Sequence, residues 1–236
     1  MKRLRVLVFA AHPDDAEFGA GGTLLRMQER CHLTICTLTN GGAGTHGDAP
    51  TRQKEQESAA AYLGAKLRLL GKADCSVEYT RQAAFELAQI IREEQPDIVM
   101  APHWNQRGDI NDSMAHPDHV HLGMLARDAT RFARFRIPQL SGEPHCAKQV
   151  WYYMVPPTVQ ATIVLPVDDL LPQLRELWAM HHSQLALRDN SIIEHLLHMR
   201  GAAAEQLRGV HYAELIASDG PIRADLLGQV FSSNAF

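Results

Sequence analysis

The sequence predicts an α/β fold: a Rossmann-like, doubly wound and mostly parallel sheet with a C-terminal strand and helix extension. Three observations carry that prediction. Apolar stretches of strand length alternate with amphipathic stretches of helix length along the chain. The runs at Leu4–Phe9 and Asp97–Pro102 are close to continuously apolar, as strands covered on both faces are. Each is followed by a His-Pro-Asp turn, at the end of the strand where open α/β sheets keep their sites. A length of 236 residues suits one such domain, residues 1–236, with no linker, internal repeat or low-complexity stretch to divide it.

Composition narrows the class. Lys and Arg number 23 against 27 Asp and Glu, and the two signs are interspersed, which argues against nucleic acid or an anionic membrane as the main partner. The basic start, Met-Lys-Arg-Leu-Arg, is followed by too short an apolar run for a signal peptide, and no run approaches the roughly 18 apolar residues of a membrane span. Cys31, Cys36, Cys75 and Cys146 show no CxxC pairing and suit reduced thiols. A cytoplasmic protein is expected.

In order, Leu4–Phe9 is the first buried strand and a helix from about Gly19 to Arg30 follows it. Gly19, Gly21 and Gly22 do not form a dinucleotide-binding GxGxxG, so close helix-to-sheet packing is their better account. Cys31–Thr39 is the second strand, trailed by the glycine-rich loop Asn40–Asp48, a composition that suits a binding segment. A helix opens at Thr51 and ends near Leu63-Gly64; Lys66–Leu70 is a third strand; Tyr79–Glu94 is an amphipathic helix with Ala83, Leu87, Ile90 and Ile91 inward. After the fourth strand the polar loop His103–Met114 is too long for a plain connector and should rim a pocket. A helix runs on from His119. Val150–Met154 and Ala161–Leu165 are further strands, with a turn at Pro156-Pro157. Asp168 or Asp169 caps a helix through Leu174, Leu177 and Met180, and Leu185–Leu207 is mostly helical. His46, His103 and His121 read as solvated or loop-packing, and His181, His182, His195 and His198 as helix decoration.

The chemistry lies in Ala11-His12-Pro13-Asp14-Asp15. Pro13 pushes His12 out of the α region, so the chain leaves the strand in an extended turn. His12 and Asp15 are nitrogen and oxygen donors of the kinds zinc accepts, with Asp14 left free for acid/base work and a third ligand required elsewhere. On their own the same residues equally make an ordinary polar turn with an aspartate capping the next helix.

The second turn, Ala115-His116-Pro117-Asp118-His119, tips that balance. With His-Pro-Asp-Asp near the N-terminus, His-Pro-Asp-His near mid-chain and the flanking Gly-Gly-Thr-Leu, the sequence resembles the LmbE-like, PIG-L-type family of zinc-dependent N-acetylglucosaminyl deacetylases. Ala224-Asp225-Leu226-Leu227-Gly228 resembles the tail of the bacillithiol-pathway members, and His211-Tyr212-Ala213-Glu214 a further family element. The resemblance implies an LmbE-like fold and a metal held by His12, Asp15 and His119, zinc or another divalent ion such as Fe2+. It also implies a homo-oligomer, trimer or hexamer, acting on a small amino-sugar substrate. Asp14 is then the general base, with His116, oriented by Asp118, stabilising the oxyanion or protonating the leaving amine. Arg52 occupies the position of an arginine with which the family holds substrate; Arg107, in the long loop, is a second candidate by placement. N-acetylglucosaminyl malate is the expected substrate. Diacetylchitobiose, a mycothiol-type conjugate or a glycopeptide intermediate is the enzymatic alternative. A non-catalytic nucleotide-binding module is a third reading, and one with no use for Asp14 or for both histidines of the second turn.

Overall fold

The strand that follows the N-terminus, β1 (Leu4–Ala10), is central in the sheet because its side chains are apolar on both faces. Val6, Val8 and Ala10 pack into one core and Leu7, Phe9 and Ala11 into another, the two-residue alternation of a pleated strand sandwiched between layers. The computed structural model describes residues 3–44, 46–105, 116–185, 191–205 and 207–231.

Parallel to β1 run β2 (Cys31–Thr39) on one side and β4 (Ile98–Pro102) on the other. β3 (Lys66–Lys72) pairs parallel with β2, and β5 (Gln149–Tyr153) parallel with β4. The sheet closes on two antiparallel strands, β7 (Ala213–Ser218) beside β5 and β6 (Ile163–Pro166) beside β7, giving the order β3-β2-β1-β4-β5-β7-β6. This is the expected doubly wound sheet with its C-terminal strand, which inserts between β5 and β6.

Helices cover both faces. One core joins the sheet to α1 (Asp15–Met27), α2 (Ala49–Tyr62), α5 (Leu171–Ala179), α7 (Ser191–Ala204) and α8 (Ala224–Val230); the other joins it to α3 (Arg81–Glu94) and α4 (Pro117–Phe132). The short α6 (His182–Leu185) follows α5. Among the described residues no helix is long and apolar enough to cross a membrane.

Local boundaries differ from the sequence expectation for identifiable reasons. Helix α1 begins at Asp15 rather than near Gly19, because Asp14 O already accepts from Phe18 N at 2.8 Å. The helix is broken at Ala20 (φ −142°, ψ 20°), and the backbone N–H groups freed there donate to Glu214, from Gly22 at 2.9 Å and Thr23 at 2.8 Å. Glu214 is in turn paired with the buried Arg200, so this C-terminal glutamate serves as the cap of a restarted helix. A Cβ on Gly22 would stand 2.6 Å from Val167 Cγ1, the close packing its glycine permits. Neither Asp168 nor Asp169 caps α5. Asp168 accepts from the backbone of His211 and Tyr212, Asp169 pairs with Arg26, and a 3₁₀ turn at Asp168–Leu170 leads into the helix. Helix α4 starts at Pro117, so His116 is its N-cap residue and His119 lies in its first turn.

Candidate active site

Strand order reverses between β1 and β4, and both motif-bearing turns leave the sheet there, so their side chains converge in one crevice. The approach of α4 is close: a Cβ on Gly123, one turn past His119, would stand 2.4 Å from Pro102 O.

His12 Nδ1 lies 3.2 Å from His119 Nε2, which lies 3.0 Å from Asp15 Oδ1. All three residues are buried. Asp15 Oδ2 is occupied by the backbone N–H groups of Ala11 and His12, at 2.9 and 2.8 Å, so its carboxylate is locked with Oδ1 turned to the histidines. Ligand atoms around a tetrahedral zinc at about 2.0–2.1 Å stand roughly 3.3 Å apart, so this trio of two nitrogens and an oxygen has the spacing and donor chemistry to hold such an ion. Burial pushes the Asp15 carboxyl up, but His119 and His12 outweigh it and hold it well below the usual range. Burial pulls His12 down, yet Asp15, with Asp14 and Asp74, pushes it up to about 9, as for a group surrounded by negative charge that a cation would complement. A second grouping, His12 with His116 and Asp118, also brings ligand atoms within 4.8 Å of one another. It is the poorer fit, because His116 Nδ1 already accepts the Asp118 N–H at 3.1 Å.

Asp14 sits beside this cluster in a strained backbone, φ 129° and ψ −26°, a conformation that costs a residue with a Cβ about 1–3 kcal/mol. Its N–H donates to Gln56 Oε1 at 3.0 Å, and its Oδ2 accepts from Arg52 Nη2 at 3.0 Å. Burial lifts the Asp14 carboxyl to about 6 against the pull of Arg52. Asp14 is therefore no lone carboxylate: an arginine and a glutamine from successive turns of α2 hold it.

His116 is half-buried, and burial together with the neighbouring His12 and His119 lowers its pKa. Because Nδ1 accepts a backbone N–H, the neutral ring carries its proton on Nε2, which faces Cys75 Sγ at 3.9 Å. The Asp118 contact is thus made by its backbone rather than its carboxylate. Asp118 Oδ1 accepts from Val77 N at 3.3 Å, and Oδ2 lies 3.3 Å from His12 Nε2.

Arg52 is buried, donating to Gly41 O at 2.7 Å and Pro13 O at 2.9 Å as well as to Asp14. Arg107, with Asp109 and Asp112, lies outside the described residues. His103 packs in its loop, stacked on Trp104, and His121 Nδ1 is 2.6 Å from Val77 O.

The sequence reading passes over four residues here. Asp74 Oδ1 lies 3.0 Å from His12 Nε2, on the side away from the trio. Its signal is position: it lies two residues past the end of β3, at the edge of the sheet that carries both motifs. Gln56 is fully buried and joins Asp14 to Glu17, also fully buried, whose Oε1 accepts from Gln56 Nε2 at 2.7 Å. His181, read as helix decoration, is fully buried, with Nε2 at 3.6 Å from Glu17 Oε2. Burial pulls His181 down, but Glu17 outweighs it and raises its pKa. No periodicity marks contacts that join α1, α2 and the α5–α6 junction.

A family model described as PIG-L, GlcNAc-PI de-N-acetylase, matches residues 7–130. Over 195 residues the chain is 30% identical to diacetylchitobiose deacetylase of Thermococcus kodakarensis, an alignment that covers 76% of this chain and 70% of that one. Among solved structures, a conserved protein of Thermus thermophilus matches with a TM-score of 0.81 at 31% identity, covering 93% of this chain and 96% of that one. The N,N′-diacetylchitobiose deacetylase of Pyrococcus horikoshii, complexed with an inhibitor, matches with a TM-score of 0.79 at 25% identity, covering 97% and 87%.

Proposed function

The chain belongs to the PIG-L family of de-N-acetylases, and on that premise we propose that it hydrolyses the acetamide of an N-acetylglucosamine derivative to acetate and a free amine. The observation that carries this reading is the buried trio His12 Nδ1, Asp15 Oδ1 and His119 Nε2, with the Asp14 carboxylate beside it. The trio would hold the metal, zinc by donor set and spacing. When bound, such an ion lowers the pKa of water and polarises the amide carbonyl.

The chain's own groups supply the rest. Asp14 takes a proton from the attacking water and returns it to the leaving nitrogen; burial, which raises its proton affinity, suits it to both transfers. The Nε2–H of His116 donates to the oxygen on which negative charge develops. Its lowered pKa keeps the ring neutral, which favours that part over protonating the amine as an imidazolium. Asp118 orients His116 through its N–H. Arg52 presents the fork that holds Asp14 to substrate hydroxyls or a carboxylate, and Arg107 is a second cation for the far end of the substrate.

N-acetylglucosaminyl malate is the favoured substrate, supported by the C-terminal Ala224–Gly228 segment and by two arginines for its carboxylates. Diacetylchitobiose is the second reading, supported by the likeness to the Thermococcus enzyme. Amine release from both compounds and from a mycothiol-type conjugate, measured on metal-loaded and chelator-treated protein, tests the proposal. Metal-dependent release from at least one is expected, and release from none would overturn it. A malate conjugate turned over no faster than diacetylchitobiose would move the assignment to the second reading.

A further inference from the structure

Helix α2 holds Asp14 at two points. Arg52 reaches its carboxylate, and Gln56, one turn later, reaches its backbone: Oε1 accepts the Asp14 N–H at 3.0 Å. That N–H belongs to the residue with φ 129°, so the bond falls on the strained peptide itself. The Gln56 amide cannot be reversed. Its oxygen must face the Asp14 N–H, which leaves the nitrogen to donate to Glu17 Oε1 at 2.7 Å. Gln56 and Glu17 are both fully buried, and the second Glu17 oxygen faces the equally buried His181 at 3.6 Å. A buried histidine–glutamate contact, an amide and a strained peptide thus stand in series behind the residue assigned to move the proton.

We propose that Gln56, locked by Glu17, is a positioning residue for the deacetylation, holding the Asp14 peptide in its strained conformation so that the carboxylate faces the attacking water. The inference rests on the reading of Asp14 as general base. Gln56 touches neither substrate nor metal ligand atoms. It acts through Asp14, where a misplacement of the order of 1 Å costs roughly 100-fold in rate.

The test compares kcat, KM and metal stoichiometry in Gln56→Met, Gln56→Glu and the exchanged pair Gln56→Glu with Glu17→Gln. Activity is followed on diacetylchitobiose or N-acetylglucosaminyl malate, whichever the wild type deacetylates faster. Gln56→Met, which removes both hydrogen bonds at similar volume, is expected to retain the metal and KM while kcat falls about 10- to 100-fold. Gln56→Glu alone sets two buried carboxylates against each other and is expected to lose at least as much. The exchanged pair restores one acceptor for the Asp14 N–H, one donor across the contact and one buried charge, so kcat should return to within a few-fold of wild type. Because the exchanged pair keeps both hydrogen bonds, it decides the matter even if Gln56→Met does not fold. Full kcat in metal-loaded Gln56→Met, metal lost in proportion to rate, or an exchanged pair no more active than Gln56→Glu alone would each overturn the proposal. Asp14→Asn separates the premise from the inference: wild-type turnover there removes Asp14 as base, whereas a dead Asp14→Asn beside a fully active Gln56→Met removes only the role of Gln56.

Discussion

The two His-Pro-Asp turns share a spelling and differ in how they are built. The first, after β1, is rigid and strained: Asp15 is pinned by two backbone N–H groups, and Asp14 is forced to φ 129° and tied to α2. The second is an unstrained helix start, with His116 at φ −65° and ψ 133° as N-cap and Pro117 in the first turn, where a proline costs nothing. The difference teaches a division of labour. On the proposed function, the strained turn holds charge for a metal and a base, and the relaxed one carries a ligand on a helix and leaves His116 half-exposed beside them.

The largest effects should come from the groups the turns share. His12→Ala and His119→Ala each remove one donor of the trio, so metal stoichiometry, measured on protein purified without chelators, should fall toward zero and turnover with it. Full occupancy in both would break the pairing of the turns. Asp14→Asn should keep its metal and lose about 10² to 10⁴ in kcat; near-normal turnover at full occupancy would strip the first turn of its base.

Much of the candidate site is legible in the sequence. A near-continuous apolar strand followed by His-Pro-Asp states both where a site sits and which donors it offers, because strand, turn and ligand are neighbours in the chain. What holds the turn was not legible. Gln56, Glu17 and His181 meet only through burial, and a fully buried histidine reads the same in sequence as an exposed one. Arg52 is singled out by its family position as a substrate contact, whereas its bond to Asp14 depends on how α2 crosses the β1 turn, which position does not state. The helix after the first turn is expected only from about Gly19 because the polar His-Pro-Asp-Asp stretch reads as a turn; that it breaks at Ala20 and is capped there by Glu214, distant in sequence, no local pattern states.

Smaller effects sharpen the contrast. His116→Ala removes the donor proposed for the developing oxyanion and should cost about 10² to 10³ in kcat with metal content unchanged. Loss of metal instead would make His116 a ligand and favour the alternative grouping. Asp74→Asn should weaken metal affinity about 10- to 100-fold, because the carboxylate 3.0 Å from His12 Nε2 raises the ring's basicity. Competition with a chelator of known affinity reads that change, and unaltered affinity would mean that Asp74 lends His12 no support.

The smallest effect addresses the strain directly. Glycine is ordinarily less stable than alanine where the backbone is extended or helical, by roughly 0.5–1 kcal/mol, because it loses more freedom on folding. At position 14 the sign should reverse. Asp14→Gly and Asp14→Ala lose the same carboxylate and the same bond to Arg52, so their difference isolates the backbone, and at φ 129° only glycine escapes the clash of a Cβ. Denaturant unfolding should find Asp14→Gly more stable than Asp14→Ala by about 1–3 kcal/mol. At position 116, an N-cap with φ −65°, His116→Gly should exceed His116→Ala only by the ordinary N-cap preference for glycine, a smaller margin than at position 14. Equal margins at both positions would mean that the first turn stores no strain and that the two turns differ only in their side chains. A larger margin at position 14 would show that the protein keeps Asp14 where it is against the preference of its own backbone, which is the stability the carboxylate proposed as base costs there.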